Sequence, residues 1–206
     1  MFRDREEAGR LLALKLRKII KGKDFVVVAL LRGGIVLGKK ISDYFKIPLF
    51  PLSVKKIGAP TNPELAIGAV TQDKTYYFDK DLINHLRVQE NYLNKLSEIK
   101  SKEAQKLQHK FQGKISLKNK KVVIVDDGVA TGATVICAAK YIRRLQAKEM
   151  ILATPLIAKD SLKNIKSHFD RIISLKIVDH LASVSQFYRH FPQLEDNEVI
   201  EILNRK

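Results

Sequence analysis

Apolar and polar positions change period along this chain, and the changes mark its elements. Residues 4–20, "DREEAGRLLALKLRKII", set Leu12, Leu16 and Ile19 on one face at helical spacing. Asp4 stands where an N-cap belongs, with Glu7 three residues on, the spacing of a capping box. "DFVVVALL" (24–31) is a short, β-branched, apolar run, the pattern of a strand buried on both faces. "RGG" (32–34) interrupts it, and "IVLGKKISDYF" returns to helical spacing. "IPLFPLSV" (47–54) reads as another strand. "KKIGAPTNPELAIGAV" (55–70), broken by Gly and Pro, predicts a loop with a strand or bend near 66–70. A short strand at 76–79 and a long lysine-rich helix over 86–111 follow.

The second half alternates more cleanly. "KVVIVDD" (121–127) is a strand, then come a loop, a helix over 134–145 and the strand "EMILATPLIA" (149–158). A helix over 161–169, a strand over 171–178 and a tail ending in a short helix complete the chain. Alternating strand and helix predicts an α/β fold, a parallel sheet core flanked by helices. Segments 55–85 and 180–206 fit that alternation less well. They are expected to form a small hood within a single domain spanning 1–206.

Composition narrows the chemistry. A single cysteine, Cys137, excludes a disulfide framework. His85, His109, His168, His180 and His190 show no i,i+3 or i,i+4 pairing, which argues against zinc. The charged N-terminus has no apolar signal region, and no apolar run is long enough to span a bilayer, so a cytoplasmic location without a membrane partner is expected. Lys and Arg number 38 against 22 Asp and Glu, a net charge of +16. Such a field attracts polyanions. The basic residues are spread along the whole chain, which favours a small anionic substrate over a nucleic-acid tail.

Two loops follow buried strands, where ligands of open α/β sheets bind. Gly33 to Lys39, "GGIVLGK", mimics a P-loop, but Lys40 stands where a Mg²⁺-binding Ser or Thr belongs. Ile35, Val36 and Leu37 are also poor residues for a phosphate cradle. The second loop, in "VVIVDDGVATGAT" (122–134), is more specific. Unpaired buried carboxylates cost several kcal/mol or more, about as much as folding can bear, so Asp126 and Asp127 must meet a ligand or a partner. The vicinal hydroxyls of a ribose suit them. The following "ATGAT" opens a helix whose N–H groups, with the hydroxyls of Thr131 and Thr134, suit a phosphate. Gly132 allows close backbone approach.

These residues resemble the phosphoribosyl pyrophosphate motif of type I phosphoribosyltransferases. "FRDREEAGRLLA", "VVALLRGGIVLG", "KKIGAPTNPELAIGAV" and "VVIVDDGVATGAT" together resemble a narrower group within that family whose acceptor is generally not assigned. The likeness covers residues 2–158 well and extends to "SQFYRHFPQLEDNEV" in the tail. The resemblance implies a Mg²⁺-dependent enzyme of nucleotide metabolism, with the ion held mainly by substrate. It would transfer ribose 5-phosphate from phosphoribosyl pyrophosphate to a nucleobase or related nitrogen acceptor. Asp126 and Asp127 would hold the ribose hydroxyls and serve catalysis. Gly128, Ala130, Thr131, Gly132, Ala133 and Thr134 would line the phosphate site, and Arg32, Gly33 and Gly34 the pyrophosphate site. A flexible loop within 55–70 would close over the substrate, with Lys55 and Lys56 near its base. Glu64 in that loop is the candidate acid/base. Members are often dimers or larger, so a homo-oligomer is expected.

Departures carry information. Leu31 replaces a frequent proline, and Lys55 a common arginine, losing bidentate reach. Lys106, Leu107, Phe111 and Gln112 stand where the group has paired arginines and Tyr-Arg. Ala130 occupies the position of the aspartate that handles the base proton in 6-oxopurine enzymes, and alanine cannot act as a base. Adenine- and uracil-type acceptors remain open. Two other readings stand beside the transferase: a phosphoribosyl pyrophosphate sensor that binds nucleic acid, and a P-loop NTPase.

Overall fold

The computed structural model describes residues 1–111, 116–179 and 181–205. Five strands, β1 (Phe25–Leu30), β2 (Leu49–Leu52), β6 (Lys121–Val125), β7 (Glu149–Ala158) and β8 (Arg171–Val178), form one parallel sheet in the order β2-β1-β6-β7-β8. Helices α1 (Arg5–Leu16) and α2 (Gly34–Phe45) cover one face and α5 (Ala133–Arg144) the other, with α6 (Lys159–Lys166) beside β7 and β8. The predicted α/β core is present.

Strand pleating sorts the core. Val26, Val28, Val122 and Ile124 face Val135, Ile136 and Ile142 of α5. Phe25, Val27, Val123 and Val125 face Leu12, Leu16, Leu37 and Ile41 of α1 and α2. Successive residues point to opposite faces, so β1 and β6 must be apolar throughout. Leu37 is fully buried, and its truncation to alanine would cost about 2–5 kcal/mol.

Two expectations need correction. Residues 47–54 are not one strand: the chain leaves the main sheet after β2, and β3 (Val54–Gly58) starts a second sheet. Residues 55–70 hold the strand expected near 66–70, but the loop before it is shorter than expected because 55–58 is strand as well. β3 and β4 (Ala66–Thr71) pair antiparallel, and β5 (Tyr76–Phe78) extends the sheet. Gly58, Pro60 and Pro63 occupy the turn and its edge while Gly68 lies within β4, and the register shifts at Ile57/Gly58. This small sheet is sandwiched between α4 (Glu90–Lys110) and α5. The long helix begins at Glu90 rather than 86, after the short α3 (Lys80–His85). Gln112 lies outside the described residues.

The tail runs back to the start of the chain. Phe2 bridges Tyr188 in parallel, with Phe2 N–H donating to Phe187 O at 2.7 Å and Arg189 N–H to Phe2 O at 2.8 Å. A 3-10 turn (Val184–Phe187) precedes this contact, and α7 (Asp196–Asn204) packs on α2. Among the described residues no helix is long and apolar enough to cross a membrane.

Candidate active site

The carboxyl ends of β1 and β6 lie side by side, because these strands pair in register from Phe25↔Lys121 to Ala29↔Val125. Each releases one of the loops singled out by sequence. After β1, the Leu31–Arg32 peptide is cis, and Gly33 and Gly34 start α2. After β6 come Asp126 and Asp127, and then Gly132 at φ +85° starts α5. A residue with a side chain is strained at that φ. A Cβ at Gly132 would also lie 2.6 Å from Ile165 Cγ2.

The two loops touch. A Cβ at Gly33 would fall 1.9 Å from Asp127 Oδ2, and one at Gly34 would fall 2.5 Å from the Val125 carbonyl oxygen. Only glycine lets the loop after β1 sit against the carboxylates.

The pleat of β6 continues into the acidic pair. Asp126 is on the α5 side, where the nearby Thr134 side chain favours its charged form slightly. Asp127 is on the α1 side, where Arg5 Nε donates to its Oδ2 at 2.8 Å. Burial, then the neighbouring Asp127 charge, pushes the Asp126 carboxyl well above the usual carboxylate range. Burial raises Asp127 as well, against the pull of Arg5. The main chain reinforces the turn: Asp127 N–H donates to Asp126 Oδ1 at 2.9 Å, and the Tyr188 hydroxyl donates to Asp127 O at 2.7 Å. Burial and the nearby Asp127 hold the Tyr188 phenol protonated by raising it far above its ordinary value.

The second half of the loop is tied to β7 and α6. Val129 N–H donates to Leu156 O, Ala158 N–H donates to Val129 O, and the Ser161 hydroxyl donates to Ala130 O. Thr131 and Thr134 remain half-exposed. Gly128 is covered by Val184, whose methyls would lie 2.7 Å from a Cβ there.

A cavity of about 440 Å³ opens beside the glycine loop, lined by Arg5, Leu31, Arg32, Gly33, Lys55, Phe191, Gln193 and Leu194. Three of these are cations, which suits a polyanion. Lys55, on β3, reaches this cavity. Its burial lowers the ammonium pKa, with Arg32 and Lys100 acting the same way and Glu103 and Asp196 opposing. Arg32 is held at its mouth, where Nε donates to Asp196 Oδ1 at 2.8 Å while Lys110 holds the other oxygen. Lys110, then Arg32, keeps the Asp196 carboxyl below its usual range against burial.

The structure thus brings Arg32, Gly33, Gly34, Lys55, Asp126 and Asp127 together, with Gly128 to Thr134 continuing along the same loop. It does not bring Glu64 or Lys56 to them. Lys56 and Glu64 pair across the exposed β3–β4 hairpin at 2.5 Å, and Lys56 holds the Glu64 carboxyl below its usual range. The P-loop reading also fails. Gly34 to Lys39 is the first part of helix α2, with Ile35 and Leu37 buried, and Lys39 pairs with Asp43. Among the described residues no three His, Cys, Asp or Glu side chains cluster as a metal cage.

Sequence reasoning missed Arg5, Tyr188 and Asp196. For Arg5 a signal existed. Positions 5, 8, 9, 12 and 16 share one helical face, so Arg5 belongs to the buried stripe of α1.

Comparison with known proteins agrees with this arrangement. The phosphoribosyl transferase domain family matches residues 4–191. Two Mycobacterium tuberculosis proteins, from strains CDC 1551 and H37Rv and provisionally named phosphoribosyl transferases, are each 33% identical over 208 residues, covering 100% of this chain. The chain spans 47% of their length, about half. Among solved structures, protein TT1426 of Thermus thermophilus superposes with a TM-score of 0.79 at 29% identity, covering 98% of this chain and 97% of that one. A purine phosphoribosyltransferase of Pyrococcus horikoshii shares the fold at a TM-score of 0.50 and 20% identity, covering 93% and 92%. A family match that runs through both loops, from residue 4 to residue 191, leaves one conclusion: the chain belongs to the phosphoribosyl transferase domain family.

Proposed function

We propose that this chain transfers ribose 5-phosphate from phosphoribosyl pyrophosphate to a nitrogen of a nucleobase or related acceptor, releasing pyrophosphate. One observation carries the reading: the glycine loop after β1 and the acidic pair after β6 abut, with room at Gly33 for nothing larger than hydrogen. An anion site and a diol site in contact match one ligand with a pyrophosphate beside vicinal hydroxyls.

In this reading Asp126 and Asp127 accept from the ribose hydroxyls. The N-terminus of α5, with Thr131 and Thr134, takes the 5-phosphate. The backbone of Gly33 and Gly34, with Arg32 and Lys55, takes the pyrophosphate. Departure of pyrophosphate leaves an oxocarbenium-like sugar, and cations fixed around the leaving group act most strongly as that charge develops. Arg32 must trade Asp196 for the substrate. Mg²⁺ prefers hard oxygen donors. The Asp pair offers such oxygens, but Arg5 already holds one of them, so substrate oxygens would supply most of the coordination. When bound, the ion would neutralise pyrophosphate charge. The β3–β5 sheet and residues 181–205 are read as the hood. Glu64 is too exposed, and too firmly ionised beside Lys56, to favour it as a general acid.

The test is pyrophosphate release from phosphoribosyl pyrophosphate across a panel of acceptors. Wild-type protein should turn over with at least one, and Asp127→Asn should lose about a hundredfold or more. Sugar-substrate binding with no turnover on any acceptor would overturn the transferase and favour the sensor. The +16 charge keeps that second reading in play. Steeply salt-dependent RNA or DNA binding would be its signature.

A further inference from the structure

Arg5 is the point where three distant parts of the chain meet. It starts α1, yet its side chain is only 10% exposed and that of its partner Asp127 only 15%. Nε donates to Asp127 Oδ2 at 2.8 Å, and Nη1 donates to the Pro192 carbonyl at 2.7 Å. The guanidinium lies 3.6 Å from the centre of the Phe191 ring. Phe191 packs on Tyr188, whose hydroxyl returns to the main chain of Asp127. The circuit is closed: Arg5, Asp127, Tyr188, Phe191, Arg5.

We propose that Arg5 is a positioning residue for the sugar site: it fixes one oxygen of Asp127, leaves the other to accept from a ribose hydroxyl, and makes this arrangement depend on the seating of residues 188–192. The proposal rests on the phosphoribosyl pyrophosphate reading above.

The physical need is plain. Two adjacent buried carboxylates repel, and without a cation one of them takes up a proton. A protonated carboxyl cannot accept two hydroxyl hydrogen bonds as a carboxylate does. Arg5 supplies the compensating charge, and its planar fork fixes direction as well. The other groups facing Asp127 cannot replace it. Asp126 is a carboxyl and brings no positive charge, and Tyr188 is held neutral and bonds the main chain. Arg32, one residue from Gly33, is engaged by Asp196. Lysine at position 5 would keep the charge but could not bond Asp127 and Pro192 with the same planar geometry.

The experiment measures binding of phosphoribosyl pyrophosphate with Mg²⁺ by calorimetry between pH 5 and pH 8, for wild type, Arg5→Gln, Arg5→Lys and Asp127→Asn. Hydrogen exchange of residues 186–196 is followed in parallel. Arg5→Gln should weaken binding about tenfold or more at neutral pH, the worth of one charge-assisted hydrogen bond. The acid side of its binding profile should move to higher pH, because Asp127 then protonates more readily. Arg5→Lys should recover the pH profile but only part of the affinity. Exchange in the tail should quicken in Arg5→Gln and in Asp127→Asn. If Arg5→Gln does not fold, Arg5→Lys decides alone: wild-type affinity together with wild-type tail protection overturns the role. The same result in Arg5→Gln overturns it too. Wild-type protein that binds no phosphoribosyl pyrophosphate overturns the functional reading first, and this role with it.

Discussion

Two of the sets of paired charges on this molecule are opposites. Asp126, Asp127 and Arg5 are enclosed at the end of the parallel sheet. Lys56 and Glu64 face each other across the hairpin in open water, where the Glu64 side chain is 86% exposed. Both sets contain a carboxylate beside a cation at hydrogen-bonding distance. In the enclosed set, burial wins over the cation, and both carboxyls are raised. In the open set the cation wins, and the carboxyl is lowered. Only the first stores unfavourable energy that a ligand could relieve. An exposed pair is worth at most about 1 kcal/mol and has little to give a substrate.

The contrast can be broken or sharpened by substitution, beginning at the enclosed set. Gly33→Ala should be the harshest. Its methyl would overlap Asp127 Oδ2, which Arg5 prevents from swinging away. A stability loss of about 1–3 kcal/mol is expected, with phosphoribosyl pyrophosphate binding abolished, read by chemical denaturation and calorimetry.

Asp126→Asn should act in the opposite direction on the ligand-free protein. With its folded pKa raised, Asp126 costs no stability below its unfolded value near 3.8, and the cost grows as pH rises through the folded value. The melting temperature of Asp126→Asn should therefore exceed that of wild type at neutral pH by about 2–4 °C per kcal/mol relieved. The two should converge as pH falls toward 4. A variant that is more stable yet inactive would mark the pair as functional rather than structural.

Tyr188→Phe removes one hydrogen bond onto the Asp127 main chain and should cost about 1 kcal/mol, seen as a lowered denaturation midpoint. The smallest effect is expected in the open set. Glu64→Gln should stay within about 0.5 kcal/mol of wild-type stability and leave turnover nearly unchanged. A large fall in turnover would restore Glu64 as a catalytic group.

How much of this could be read from the sequence follows the same division. β1, β6 and β7 are buried on both faces, so their apolar runs leave little ambiguity, and the loops after β1 and β6 carry their chemistry in consecutive residues. The hairpin is different. Gly58, Pro60 and Pro63 lie at or between the ends of β3 and β4, and local composition gives them more weight than the pairing that fixes the strands. Arg5 was hidden for another reason. In a run rich in Asp, Glu and Arg it looks solvated, and only its place on the buried stripe of α1 tells otherwise. Tyr188 and Asp196 reach the site from the far end of the chain, through contacts that no local pattern encodes.

The adjacency of β1 and β6 also has a bearing on how the molecule is made. β1 leaves the ribosome with its glycine loop long before β6 is synthesised, and the strand that must lie between β1 and β7 arrives late. Such long-range parallel pairing is slow to form. A nascent chain halted before Lys121 would hold the glycine loop and Arg5 but neither Asp126 nor Asp127 for them to meet. A slip of one residue between β1 and β6 would exchange the two faces of β6 and carry Asp127 away from Arg5 and Gly33. The register of β6 thus sets the spacing of the two loops, and a chain that fails to insert β6 correctly has neither the central strand of its sheet nor the contact of Gly33 with Asp127.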